Sequence, residues 1–249
     1  MNTERITHTL SWKLIVIWLV TSALAVISCS LNLPAAKLNG EYLPMGNDSF
    51  YHARRILDTA RDPGSFYQFD SNIHAPEGSL LVWPWGYDYA MAMILRGAMA
   101  VGISSDPMAI LIWIPVAAVL ISIALMIAIA RQLGLSPSLT AVAALCLGLS
   151  PTTQLLHSVG LIDHHYAESI FILAALAAGL AWLRQPENAT RALAPAVVMG
   201  LAPAVQNGLF ILQLPLLITL FVMWLQGRSM PARNSSMFGI GLLVTTLAI

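Results

Sequence analysis

Long apolar runs decide what this chain can fold into. Stretches 14–33, 108–130, 139–156, 168–183, 193–207 and 208–226 carry almost no charge, and a further run, 237–249, reaches the last residue. The hydrocarbon core of a bilayer takes about 20 apolar residues of helix. Lipid offers no hydrogen bonds, so each spanning backbone must pair with itself. Runs of this length and number predict an all-α, polytopic transmembrane helical bundle with external loops. Composition agrees: 57% of residues are hydrophobic and 10% charged, and mean hydropathy is +0.74, whereas soluble domains carry about 25% charged residues. The net charge of zero gives no electrostatic case for nucleic acid. Cys29 and Cys146 lie inside apolar runs and read as small buried hydrophobes.

Basic residues set the expected sidedness, because short Lys/Arg-bearing loops stay in the cytoplasm. Arg5 and Lys13 precede the first run, Arg131 follows the second, Arg184 and Arg191 flank the loop after the fourth, and Arg228 and Arg233 follow the sixth. With a cytoplasmic N-terminus and an uncleaved first helix, residues 34–107 and 157–167 share the external face of a cytoplasmic (inner) membrane, the periplasmic side. Segment 86–103 is nearly long enough to cross, but a crossing there would put Arg131, Arg184 and Arg228 outside. It reads instead as an interfacial helix on the outer face. The run 237–249 is too short to cross, which makes residues 1–249 the N-terminal transmembrane part of a longer chain, without a C-terminal soluble domain.

Most of the acids fall on the external side. In "GNDSFYHARRILDTARDPG" (46–64), Asn47, Asp48 or Ser49 can cap a helix of about residues 48–61. Phe50, Ala53, Ile56, Leu57 and Ala60 form its apolar face, Arg54, Arg55, Asp58 and Arg61 its polar face, and Pro63-Gly64 ends it. In the loop 72–88, Trp83, Trp85 and Tyr87 suit a membrane–water boundary, and His74 and Glu77 are available as polar contacts. The connection "HSVGLIDHHYAES" (157–169) packs Asp163, His164, His165 and Glu168 together. A carboxylate with an imidazole suits a divalent cation, Mn²⁺ or Mg²⁺ before Zn²⁺. Asp163 and His165 are two apart and would diverge on a regular helix. They converge only where the chain still turns, as Gly160 permits, and a third ligand must come from elsewhere. Asp48 is on the right side to supply it.

"GNDSFYHARRI", "APEGSLLVWPWGYD" and "SVGLIDHHYAES" resemble, in this order, the N-terminal half of oligosaccharyltransferase catalytic subunits of the archaeal and bacterial single-subunit type. These are type C glycosyltransferases. Asp48, Tyr51, His52 and Arg54 match a D-x-x-Y-H-x-R pattern, and Asp163, His164 and His165 match D-H-H. The resemblance implies transfer of an oligosaccharide from a polyprenyl-linked donor to asparagine of an acceptor polypeptide. Asp48 and Asp163 would be catalytic and, with His165, would bind the divalent metal; Asp48 would also hold the acceptor amide. Arg54, Arg55 and His164 would stand near donor phosphate, with His52, His74, Glu77 and Glu168 as further candidates.

The family's WWD motif, its later acidic ligand and its phosphate-gripping arginine are not in residues 1–249, so this stretch would hold only part of an active centre. The alternative is another polyprenyl-linked-sugar transferase of the same class with a different acceptor. Transport is less well served: the span interiors offer only Gln206, Asn207 and Gln213 near Pro203 and Pro215. A non-catalytic assembly subunit is a further reading. The sequons "NAT" (188–190) and "NSS" (234–236) lie on the cytoplasmic side in this topology and read as chance matches.

Overall fold

A computed structural model describes residues 12–65, 68–228 and 230–248; Arg5 lies outside the described residues. The chain starts with α1 (Trp12–Cys29). A long excursion follows: hairpin β1 (Lys37–Leu38)–β2 (Glu41–Tyr42), α2 (Asn47–Arg61), hairpin β3 (Phe69–Asp70)–β4 (Ser79–Leu80) and α3 (Gly86–Ala100). Next come α4 (Pro107–Leu111), α5 (Ile114–Gln132), α6 (Pro137–Gly148), α7 (Pro151–Leu156), α8 (His165–Arg184), α9 (Ala189–Val205), α10 (Gln213–Leu225) and α11 (Ala232–Leu247). The expected helical bundle is present, but the segment between α1 and α4 is not purely helical, since it includes two short antiparallel hairpins.

Among the described residues, four helical stretches are long and apolar enough to cross a membrane: Trp12–Cys29, Pro107–Gln132, His165–Arg184 and Asn207–Leu225. This is a membrane protein. Two of the expected spans are interrupted, in each case at a proline. Pro115 lacks an N–H, and the run 108–130 breaks between α4 and α5. Run 139–156 divides into α6 and α7 at Ser150-Pro151. There the Ser150 hydroxyl accepts from Thr153 N–H (3.1 Å), and the Gln154 amide donates to the freed Gly148 carbonyl (2.6 Å).

Small residues let the helices close up, as they do where lipid removes the hydrophobic drive between spans. A Cβ on Gly148 would sit 3.3 Å from Ile123 and Thr21, where α1, α5 and α6 meet around Ala25, Val119 and Ala144. In the second half, Trp182 stacks on Phe238 at 5.1 Å, joining α8 to α11. Both sequon asparagines have structural work. Asn188 caps α9 through Thr190 N–H (3.1 Å), and buried Asn234 donates to the Pro186 carbonyl (2.6 Å).

Helix α2 departs from its expected pattern in two respects. Its cap residue is Gly46 at φ 87°, with no side-chain cap, so Asn47, Asp48 and Ser49 are helical residues rather than caps. Its buried face carries His52, Ala53, Arg55 and Ile56, while Phe50 is exposed. The reason is Asp88 on α3, which is fully buried and takes both His52 and Arg55 as partners. Helix α3 lies against α2, and Arg96 donates to the Ala60 carbonyl at the end of α2 (2.7 Å). Tyr87 is a core residue, not a boundary anchor: it is 2% exposed and donates to the Tyr166 hydroxyl at 3.2 Å.

Candidate metal centre

Backbone bonds from residues 158–160 bring the two acidic segments together. Val159 N–H donates to the Cys29 carbonyl at the end of α1 (3.1 Å), and Gly160 N–H donates to the Ile112 carbonyl at the α4/α5 break (2.9 Å). Met45 N–H donates to the Gly160 carbonyl at 2.7 Å, just ahead of α2. That last bond lies three residues before Asp48 on one strand of chain and three before Asp163 on the other. Gly160 makes the turn at φ 84°, a conformation that costs an L side chain about 1–2 kcal/mol. A Cβ there would also press Ala36 at 3.0 Å.

Around this turn the ionisable groups form a continuous network. Asp163 Oδ1 accepts from His164 N–H (2.6 Å) and faces His164 Nδ1 (2.8 Å). Asp163 Oδ2 faces His165 Nε2 at 3.7 Å. Glu168 bridges the two imidazoles, with Oε1 3.3 Å from His164 Nε2 and Oε2 3.1 Å from His165 Nδ1. On the α2 side, His52 Nε2 is 3.2 Å from His164 Nδ1 and 3.7 Å from Asp163 Oδ1, while its Nδ1 meets Asp88 Oδ1 at 2.7 Å. Arg55 closes the inner end on Asp88 Oδ2 at 2.7 Å.

Charges inside this network set its protonation. Burial alone would raise the Asp163 carboxyl, but the hydrogen bond and charge of His164, with His165 and His52, hold it below the usual carboxylate value. Burial alone would lower His164, but the Asp163 hydrogen bond and charge, with Glu168 and Asp88, raise it. His164 has a carboxylate oxygen near each ring nitrogen, Asp163 Oδ1 at 2.8 Å from Nδ1 and Glu168 Oε1 at 3.3 Å from Nε2.

The donor atoms fit a divalent ion. Bonds of about 2.1 Å place neighbouring ligands about 3.0–3.4 Å apart in octahedral or tetrahedral geometry. Two groups of three ligand atoms lie mutually within 4.8 Å among the described residues: His52–Asp163–His164, which is buried, and His164–His165–Glu168 at the rim. Asp48 is exposed and belongs to neither; it stands one turn before His52 on the same face of α2. His74 and Glu77 stay exposed on the β3–β4 loop and also join neither group. Arg54 pairs with Asp70 and Arg55 with Asp88, so a phosphate reaching either competes with a carboxylate already in place. Sequence reasoning missed Asp88. Its signal was an acid opening an otherwise apolar helix, a placement that demands a partner.

Glu168 Oε2 stands 3.1 Å from His165 Nδ1, which holds the ring with Nε2 facing Asp163 Oδ2. Removing such an outer carboxylate typically costs about 10–100-fold in metal affinity. Glu168→Gln is therefore expected to weaken Mn²⁺ binding by about 10–100-fold, read by isothermal titration on folded protein.

No protein-family model matches the sequence, and neither does any curated protein. The fold is that of solved archaeal oligosaccharyltransferases. AglB from Archaeoglobus fulgidus, in complex with an inhibitory peptide and a dolichol-phosphate, superposes with a TM-score of 0.79 at 20% identity, covering 96% of this chain and 29% of that one. The apo form of the A. fulgidus enzyme gives 0.78 at 19% identity over 96% and 29% of the two chains. Its complex with Zn and sulfate gives 0.77 at 18% identity over 93% and 30%. The chain thus spans about 30% of the length of these structures.

Proposed function

We propose that this chain carries a donor- and metal-binding part of an oligosaccharyltransferase, which moves a polyprenyl-linked glycan onto acceptor asparagine. The observation that carries this reading is the meeting of Asp163 and His165 with the start of α2, fixed by the Met45–Gly160 bond, at one end of an apolar bundle. We assign Asp48, Asp163 Oδ2 and His165 Nε2 as ligands of a divalent ion. In the buried trio Asp163 Oδ1 already accepts from His164 N–H and faces His164 Nδ1. The rim pair Asp163 Oδ2 and His165 Nε2 stands at 3.7 Å, with His165 exposed. Two carboxylates and one imidazole suit Mn²⁺ or Mg²⁺, although a structural neighbour was solved with Zn.

The bound ion would supply compensation for charge on a departing phosphate. In the transfer, the sugar C1–oxygen bond to phosphate breaks, a C1–nitrogen bond to the amide forms, and the amide proton leaves to a carboxylate, a role assigned here to Asp48. Membranes carrying a full-length version of the protein and a lipid-linked donor are expected to glycosylate a fluorescent sequon peptide, to lose this activity with EDTA and to regain it with Mn²⁺. Activity that persists in EDTA would contradict the metal assignment.

The reading also places the network on the external face, with the N-terminus inside. Arg131 and Arg184, at the far ends of α5 and α8 from the network, support this. In a background lacking Cys29 and Cys146, Leu161→Cys in sealed, right-side-out membranes is expected to react with an impermeant maleimide. Reaction only after permeabilisation would reverse the topology.

A further inference from the structure

The inner half of the ionisable network supplies none of the ligands assigned above. Asp88 is fully buried and His52 is 1% exposed. They stand on different helices, α3 and α2, and meet at 2.7 Å through Asp88 Oδ1 and His52 Nδ1, while Arg55 occupies Asp88 Oδ2. Packing α2 on α3 does not by itself call for such a trio. Buried ionic groups often stabilise no better than hydrophobic residues of the same volume. An apolar residue at position 52 would also suit the rings around it, with Tyr87 edge-on at 5.3 Å and Trp83 at 6.2 Å.

What the trio does provide is a fixed imidazole. Asp88 sets the rotation of the His52 ring, and His52 Nε2 then stands 3.2 Å from His164 Nδ1, the two rings edge to face at 5.2 Å. His164 is the hub between the assigned ligands. Its Nδ1 is 2.8 Å from Asp163 Oδ1 and its Nε2 is 3.3 Å from Glu168 Oε1, while Glu168 Oε2 holds His165 Nδ1 at 3.1 Å. The terminal torsion of an imidazole is broad and roughly two-fold. Turned half a circle, His164 would offer Cδ2 where Nδ1 stands and Cε1 where Nε2 stands, and both carboxylates would lose a polar partner. His52 Nε2 is a second polar atom at the Nδ1 edge, and it favours the observed orientation alone.

We infer that Asp88 and His52 are positioning residues for the rim site. Asp88 orients His52, His52 orients His164, and His164 sets Asp163 directly and His165 through Glu168. The use of this relay rests on the metal assignment above, and its existence is testable without metal. Two variants separate positioning from packing. Asparagine carries a nitrogen to the place of His52 Nδ1, so it keeps Asp88 partnered and falls short of His164. Glutamine carries one to the place of Nε2, so it keeps His164 and gives up Asp88.

The protein in lipid nanodiscs, free of divalent ions and labelled with ¹⁵N in its histidine rings, is compared with both variants by NMR. His52→Asn is expected to shift the ring signals of His164 and of His165, which lies beyond His164 and Glu168 in the relay, and to leave those of His74 in place. Mn²⁺ alone is then titrated calorimetrically. His52→Asn is expected to weaken binding about tenfold or more, and His52→Gln to weaken it less. The thermal midpoints are expected to run in the opposite order, because glutamine leaves buried Asp88 Oδ1 short of a partner. The inference is overturned if the His165 ring signals of His52→Asn coincide with the parent's, if Mn²⁺ affinity follows the melting order, or if both variants bind like the parent. A parent that binds no Mn²⁺, or an Asp163→Asn variant that binds it equally well, would refute the metal assignment alone, and the His165 signals would still decide the relay.

Discussion

Asp88→Ala is expected to lower the thermal midpoint by roughly 10 °C. Asp88 is fully buried, and it is the carboxylate shared by His52 Nδ1 and the Arg55 guanidinium, both also buried. Removing one partner of a buried ion pair typically costs about 3–5 kcal/mol, because the remaining charge keeps its desolvation penalty without compensation. The double variant Asp88→Leu/Arg55→Leu removes both charges and is expected to recover much of that loss. Thermal melts followed by tryptophan fluorescence decide the matter. If the double variant melts as low as Asp88→Ala, the charge account of α2–α3 packing is wrong and lost shape is the cause.

Asp163→Asn is expected to abolish peptide glycosylation and to weaken Mn²⁺ binding by more than the roughly 100-fold upper range for outer-sphere partners. Asparagine keeps a carbonyl oxygen for His164 N–H, so the turn after Gly160 is retained and the loss is one of charge and ligation. Asp48→Ala provides the independent arm. Asp48 is exposed on the first turn of α2, so its loss carries little folding cost while removing a ligand. If both variants bind Mn²⁺ like the parent protein, the ion is held elsewhere and the metal assignment fails.

Most of the bundle was legible in the sequence, because the requirement to pair backbone groups within a helix turns a hydrophobic run directly into a span. The breaks at Pro115 and Ser150-Pro151 were harder, since a membrane helix can carry a proline without breaking, as α9 carries Pro195 and Pro203. The proximity of the two acidic segments followed from sidedness. Its cause, the Met45–Gly160 bond, is a backbone contact with no signature in side-chain identity. The α2 faces were misassigned because helical periodicity ranks Arg55 and His52 as polar and so outward, and only Asp88 on another helix reverses that. Glu168 was seen as one acid among several. Its bridging of His164 and His165 depends on where α8 begins.

The central claim concerns one cation on Asp48, Asp163 and His165, and anomalous scattering at the manganese edge from Mn²⁺-soaked crystals tests it most directly. The account predicts a single peak about 2.1 Å from Asp163 Oδ2 and His165 Nε2, with Asp48 completing the protein ligands. A peak enclosed by His52 and His164, or an Asp48 carboxylate turned away from an occupied site, would contradict it.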